Sequence, residues 1–162
     1  MKGDYIMIDN KRNLRDTGIF LIVFAIIDLF TSATALIGGF FDGTFDKAFA
    51  GVEPDIATAS KVVLGVIFGF WVLLVVAEIL IGVKGIKASA NPSAAKGYIT
   101  AAKVFFVFNV LGVISYIVSM FEMTSATAFN TILAFISALC TAIIYGLFIK
   151  YASAVRAEFL KG

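Results

Sequence analysis

Four long apolar stretches, over roughly 18–41, 60–86, 98–121 and 131–151, are separated by short segments that hold most of the charged residues. A helix needs about 20 predominantly apolar residues, rising 1.5 Å each, to cross about 30 Å of hydrocarbon. Each stretch meets that length. Only helices and closed barrels satisfy their backbone groups inside lipid, and these stretches exceed a barrel strand of about 9 to 11 residues and lack its alternation. The pattern therefore predicts an all-α fold: a polytopic membrane protein of four transmembrane helices in an up-down bundle. The four form a single domain over 1–162, with the last helix running past the membrane into a tail over 152–162.

The charges sort by side. The N-terminal segment holds Lys2, Lys11, Arg12 and Arg15, and the first connection holds Asp42, Asp46, Glu53 and Asp55 against Lys47. The second connection carries Lys84, Lys87 and Lys96 without an acid, the third only Glu122, and the C-terminal tail Lys150, Arg156 and Lys161. Counting lysine and arginine, the positive-inside rule places both termini and the second connection in the cytoplasm, so the expected location is the cytoplasmic membrane. One competing pattern is a signal peptide, with Lys11, Arg12 and Arg15 ahead of an apolar run that ends in Thr31-Ser32-Ala33-Thr34-Ala35. Asp28 sits badly in the apolar core of such a peptide, and the spanning helix is preferred. The tail residues Ala152, Val155 and Phe159, interleaved with Lys150, Arg156 and Lys161, make an amphipathic surface suited to an anionic leaflet.

Local signals add detail. Asn91 before Pro92 reads as an N-cap followed by proline at the first helical position, starting the third helix about a turn before lipid. The first connection is the only sizeable extramembrane segment, and Phe45, Phe49 and Ile56 predict that it lies back on the membrane surface or on the helices. Its acids lack the spacing of an EF-hand loop, so no metal site is expected there. The string TSATA occurs at Thr31–Ala35 and Thr124–Ala128, but one copy lies inside a helix and the other before one, so no duplication follows.

Composition agrees with the pattern. Hydrophobic residues make up 60% of the chain and charged ones 15%, against roughly 45–50% and 25% in soluble domains. A net charge of +2 without a clustered basic run gives no footprint for nucleic acid. The absence of histidine and the single cysteine, Cys140, exclude most transition-metal sites, histidine-ligated haem, a Cys/His nucleophile and an intrachain disulfide, and no cofactor is expected. Cys140 reads as a small apolar residue of the fourth helix. No GxSxG, HExxH, CxxC or paired-aspartate motif is present, so no enzyme is expected.

Ionisable groups inside a span are costly and mark candidate sites. Three are present: Asp28, Glu78 and Lys103. At 1.5 Å per residue they fall about 15, 12 and 8 Å deep from the cytoplasmic ends of their helices. Asn109, Thr141 and Tyr145 fall at similar depths on the third and fourth helices, so all four helices contribute to one polar layer. Two roles fit it. It is either internal glue, with a Glu78–Lys103 ion pair and Asp28 protonated or hydrogen-bonded to Asn109 or Thr141, or a proton or cation relay, although Lys103 alone can snorkel to the interface. Helical spacing puts Asp28 on a small, polar packing stripe with Thr31, Ser32, Ala35 and Gly39, leaving Phe20, Leu21, Phe24, Ile27 and Phe30 towards lipid. Glu78 shares its face with Trp71, Gly82 and Gly85, and Asn109 shares one with Gly112 and Tyr116. Gly65 and Gly69 form a GxxxG, with Ala142 and Gly146 as a looser analogue; such pairs serve close packing either within the chain or against another subunit.

Four helices with a membrane-embedded acid in the first resemble, in outline, the small multidrug resistance exporters. That likeness implies an oligomeric transporter. The chain departs from that family in its greater length, its larger first outer connection, an aspartate at 28 in place of a glutamate early in the helix, and the lack of any family motif. The expected partners are the bilayer and a homo-oligomer or larger membrane complex. The leading expectation for function is a protein acting through such contacts, as an accessory subunit or an assembly, stress or immunity factor; the alternative is a proton- or cation-linked transporter or channel.

Overall fold

A computed structural model describes residues 2–41, 43, 46–47, 49–92, 97–121, 124 and 128–161. Four helices follow in chain order: α1 (Lys2–Phe41), α2 (Pro54–Ala90), α3 (Gly97–Met120) and α4 (Ala128–Phe159). Each contains a stretch long and apolar enough to cross a membrane, and no strand occurs among the described residues. The chain is thus an all-α, multi-pass membrane architecture.

Three of the helices outrun their apolar stretches. α1 begins at Lys2 and not near 18, α2 at Pro54 and not near 60, and α4 continues to Phe159. Residues 4–17 contain neither glycine nor proline, and an i,i+3 ion pair between Arg12 and Asp9 (3.4 Å) sits on the surface of that turn. Water tolerates the charges while the helix continues. The ends have local causes too. Gly43 and Gly51 carry φ of +72° and +84°, conformations open to glycine, and bracket the chain reversal after α1. Pro54 opens α2, where a missing N–H costs nothing. Asp55 in the first turn and Lys87 in the last complement the helix dipole. The Asn91 amide donates to the Lys87 carbonyl (2.8 Å), so this residue closes α2. The expected start of the third helix near Asn91 falls largely on residues 93–96, which lie outside the described residues; so does Phe45.

The chain divides into two compact units. One comprises residues 1–22 and 78–162, and therefore α3, α4, the N-terminal part of α1 and the C-terminal part of α2. Its core joins Leu14 and Leu21 of α1, Ile81 and Ala88 of α2, Ile99 and Ala102 of α3, and Phe148, Ala152 and Val155 of α4. Two glycines set the closest approach. A Cβ on Gly18 would stand 2.8 Å from the Gly82 carbonyl oxygen, and one on Gly82 would stand 2.6 Å from that of Gly18. α1 and α2 therefore cross backbone to backbone. Leu21, one turn on from Gly18, is carried into this contact and is only 2% exposed, correcting its expected place on the lipid side. Gly85 is equally tight, because a side chain there would enter the ring of Phe148. α3 and α4 form an antiparallel pair in which Tyr98 meets Phe148 edge to face (5.7 Å between centroids) and Phe105 stacks on Tyr145 (6.0 Å). At the terminal end the Asn10 side-chain amide donates to Glu158 Oε1 (2.9 Å), so the N-terminal end of α1 and the C-terminal end of α4 lie side by side.

The other unit, residues 23–77, holds the remaining parts of α1 and α2. Ala25, Gly39 and Val75 are buried among its described residues, and Leu64, Phe68, Trp71 and Val72 continue a half-buried stripe at helical spacing along α2. Trp71 stacks on Phe68 at 5.5 Å. Lys61 Nζ reaches Asp46 at 2.5 Å, tying the connection to α2. Phe49 lies back on the first turns of α2, where it shares an open apolar hollow of about 560 Å³ with Ile56, Ala59, Val63 and Leu64.

Candidate intramembrane polar site

Glu78 and Tyr145 are brought together. The phenol donates to Glu78 Oε1 at 2.9 Å from a fully buried position on α4. Three features of the sequence build this contact. Glycines at 82 and 85 thin the face of α2 below Glu78, so that α1 and the Phe148 ring approach closely. Ala142, buried one turn before Tyr145, and Gly146, in contact with Phe106 at 3.6 Å from where a Cβ would stand, do the same for the α3–α4 seam. Phe105 then covers the Tyr145 ring. A half-buried carboxylate held by a buried phenol is a directed hydrogen bond in a span, where water competes weakly and the bond holds two helices in register.

The remaining groups of the expected layer are arranged otherwise. Lys103 lies exposed on α3 and forms no ion pair among the described residues. The Asn109 amide turns back on its own helix and donates to the Phe105 carbonyl (2.9 Å), and the Thr141 hydroxyl does the same to Ser137 (3.0 Å). These bonds satisfy polar groups locally without joining helices. Asp28 belongs to the 23–77 unit and is exposed. By helix arithmetic it stands on the stripe that buries Leu14, Leu21 and Ala25 and half-buries Ser32, yet the residue is exposed; Thr31 and Ala35 beside it are exposed as well. Gly65 and Gly69 have nothing within 4 Å of where a side chain would begin. They lie exposed along the edge of the Leu64, Phe68, Val72 and Val75 stripe, so the GxxxG is not used for packing within the described chain.

Phe105, which covers the Tyr145 ring, and the Tyr98–Phe148 pair of the same α3–α4 seam were absent from the residues singled out above. Their signal is a seven-residue rhythm: 98, 102 and 105 on α3 and 145, 148, 152 and 155 on α4 repeat with the spacing of packed helices, as do 14, 18, 21 and 25 on α1. Among the described residues no group of acids and cysteine is placed to hold a metal ion. Compared with protein-family models, with curated proteins and with solved structures, the chain has no match in any of the three.

Proposed function

We propose that the protein works through contacts inside the membrane, with a second copy or with the helices of a partner, as an accessory or assembly factor with both termini in the cytoplasm. The observation that carries this reading is the exposed position of Asp28, without a partner from another helix among the described residues, in the spanning stretch of α1. An aspartate facing lipid near a helix centre costs roughly 2.5–3.5 kcal/mol, a cost removed when a neighbouring helix supplies a donor. The open Gly65–Gly69 face of α2 supports the same reading, since it offers a second helix a close backbone approach. Photo-crosslinking from positions 28, 65 and 69 in native membranes tests it. Discrete adducts above monomer mass, weakened by Asp28→Asn or Gly69→Leu, are expected. Monomer alone at all three positions, together with a monomeric size in mild detergent, would sink the proposal.

A second reading, proton- or cation-linked transport by an oligomer, is favoured by one observation, the Glu78–Tyr145 bond within the span. A carboxylate and a phenol in contact can pass a proton between them. Flux into liposomes should then respond to pH and fall with Glu78→Gln or Asp28→Asn. Flux that is absent, or indifferent to both substitutions, rules transport out.

A further inference from the structure

Four lysines of the 1–22 and 78–162 unit fall at one level, one or two to each of α2, α3 and α4. The contacts between helices fix their heights. Gly85 meets Phe148, placing Lys84 and Lys87 of α2 beside the 147–151 turn of α4, where Lys150 stands. Tyr98 meets Phe148 and Phe105 meets Tyr145, so Lys103 lies between those two layers on α3. At 1.5 Å per residue the four ammonium-bearing positions span on the order of 6–8 Å along the helix axes. All four are exposed.

That height matches one headgroup layer, since a bilayer of about 40–45 Å with about 30 Å of hydrocarbon leaves some 5–8 Å on each side. The neighbouring acids are engaged elsewhere. Asp16 holds Arg15 (3.0 Å), Asp9 holds Arg12, Glu78, six residues before Lys84, takes the Tyr145 phenol deeper in the span, and Glu158 takes the Asn10 amide beyond the ring towards the termini. Lys84, Lys87, Lys103 and Lys150 form no ion pair among the described residues. Lys150 Nζ stands 5.7 Å from the centre of the Tyr151 ring, an aromatic and cationic pairing typical of the interface.

We propose that Lys84, Lys87, Lys103 and Lys150 form a girdle that selects the phosphate-bearing headgroups of anionic phospholipids around the terminal end of the protein. Lysine serves here as a flexible point charge, each reaching a separate lipid phosphate and covering the helix surface with its stem. The apolar residues beside the ring accept acyl chains, which a free phosphate lacks. The occupant is therefore a lipid.

The test is native mass spectrometry of the full chain released from nanodiscs of phosphatidylcholine mixed with phosphatidylglycerol. Wild-type protein should carry phosphatidylglycerol in excess of its share of the disc, and each Lys→Gln change should lower that preference about five-fold. The quadruple variant K84Q/K87Q/K103Q/K150Q should show none, while K84R/K87R/K103R/K150R keeps it and confirms that charge at this level is the cause. Lys61→Gln, in the other unit, should leave it unchanged. Equal retention of both lipids by wild type, preference that survives in the quadruple glutamine variant at unchanged helicity, or displacement of the bound lipid by millimolar inorganic phosphate would each overturn the proposal.

Discussion

At the residue scale, glycine does opposite things in this chain according to what faces it. Gly18 and Gly82 stand where a methyl group would press into the opposite backbone at 2.8 and 2.6 Å, and a carbonyl oxygen in a helix cannot move aside as a side-chain tip can. Gly65 and Gly69 face open space. Gly82→Ala should therefore destabilise the protein by about 1–3 kcal/mol, the usual cost of overpacking. Gly69→Ala should be neutral or slightly stabilising, because alanine is the better helix former by up to about 1 kcal/mol. Thermal unfolding of both variants in one detergent checks the pair: a lower midpoint for Gly82→Ala beside an unchanged or higher one for Gly69→Ala is expected, and equal shifts would refute the assignment of the crossing. The sequence left the Gly65–Gly69 pair open between packing within the chain and contact with another subunit, and it did not single out Gly18. GxxxG is visible as a string, whereas Gly18 and Gly82 matter because they are opposed across 64 positions of chain, and nothing in the local pattern of either reveals the other.

At the element scale, the spans were legible and the helix ends were not. Apolar length alone gives four crossings, because hydrocarbon leaves the backbone no alternative to the helix. Beyond the hydrocarbon edge that constraint lapses, and whether the helix continues depends on caps, pairs and tertiary contacts. For α1 and α4 the continuation is held by one polar contact, Asn10 to Glu158, and by Leu14, Ala152 and Val155 just beneath it. Glu158 Oε2 is buried with no partner, so the carboxylate depends on the single Asn10 bond. Asn10→Ala would leave both oxygens unmatched, at a cost of about 1–3 kcal/mol. That cost falls on local opening of the two helix ends. Hydrogen exchange over 8–14 and 150–159 should quicken by roughly ten-fold or more while 98–106 is unaffected. Exchange that rises equally in all three segments, or in none, would show that the contact does not hold the ends together.

At the scale of the whole molecule, the charge pattern and the geometry bear on sidedness independently. The Asn10–Glu158 bond places the N-terminal end of α1 against the C-terminal end of α4, the arrangement expected of an even number of crossings. Geometry does not say which side. The charges are uneven between the two ends: of the 13 lysines and arginines, only Lys47 and Lys61 fall towards the first connection, and the rest gather at the terminal ends and near the second connection, the distribution from which the positive-inside rule predicts cytoplasmic termini. The sequence carried the polar layer less far, for a related reason. Depth along a helix follows from counting residues, but whether Asp28, Glu78 and Lys103 meet depends on helix rotation, which the Gly18–Gly82 crossing and the aromatic seam of α3 and α4 decide. Glu78 consequently finds Tyr145, and Lys103 turns outward to the level of the other lysines. If sidedness follows the charges, fluorescent protein fused to either terminus should fluoresce, and alkaline phosphatase fused there should be inactive but active when inserted after Ala50. Opposite results at the two termini would contradict the Asn10–Glu158 contact itself. Active phosphatase at both, with none after Ala50, would keep the four crossings and invert them, placing the lysine girdle in the outer leaflet against the rule that orients it.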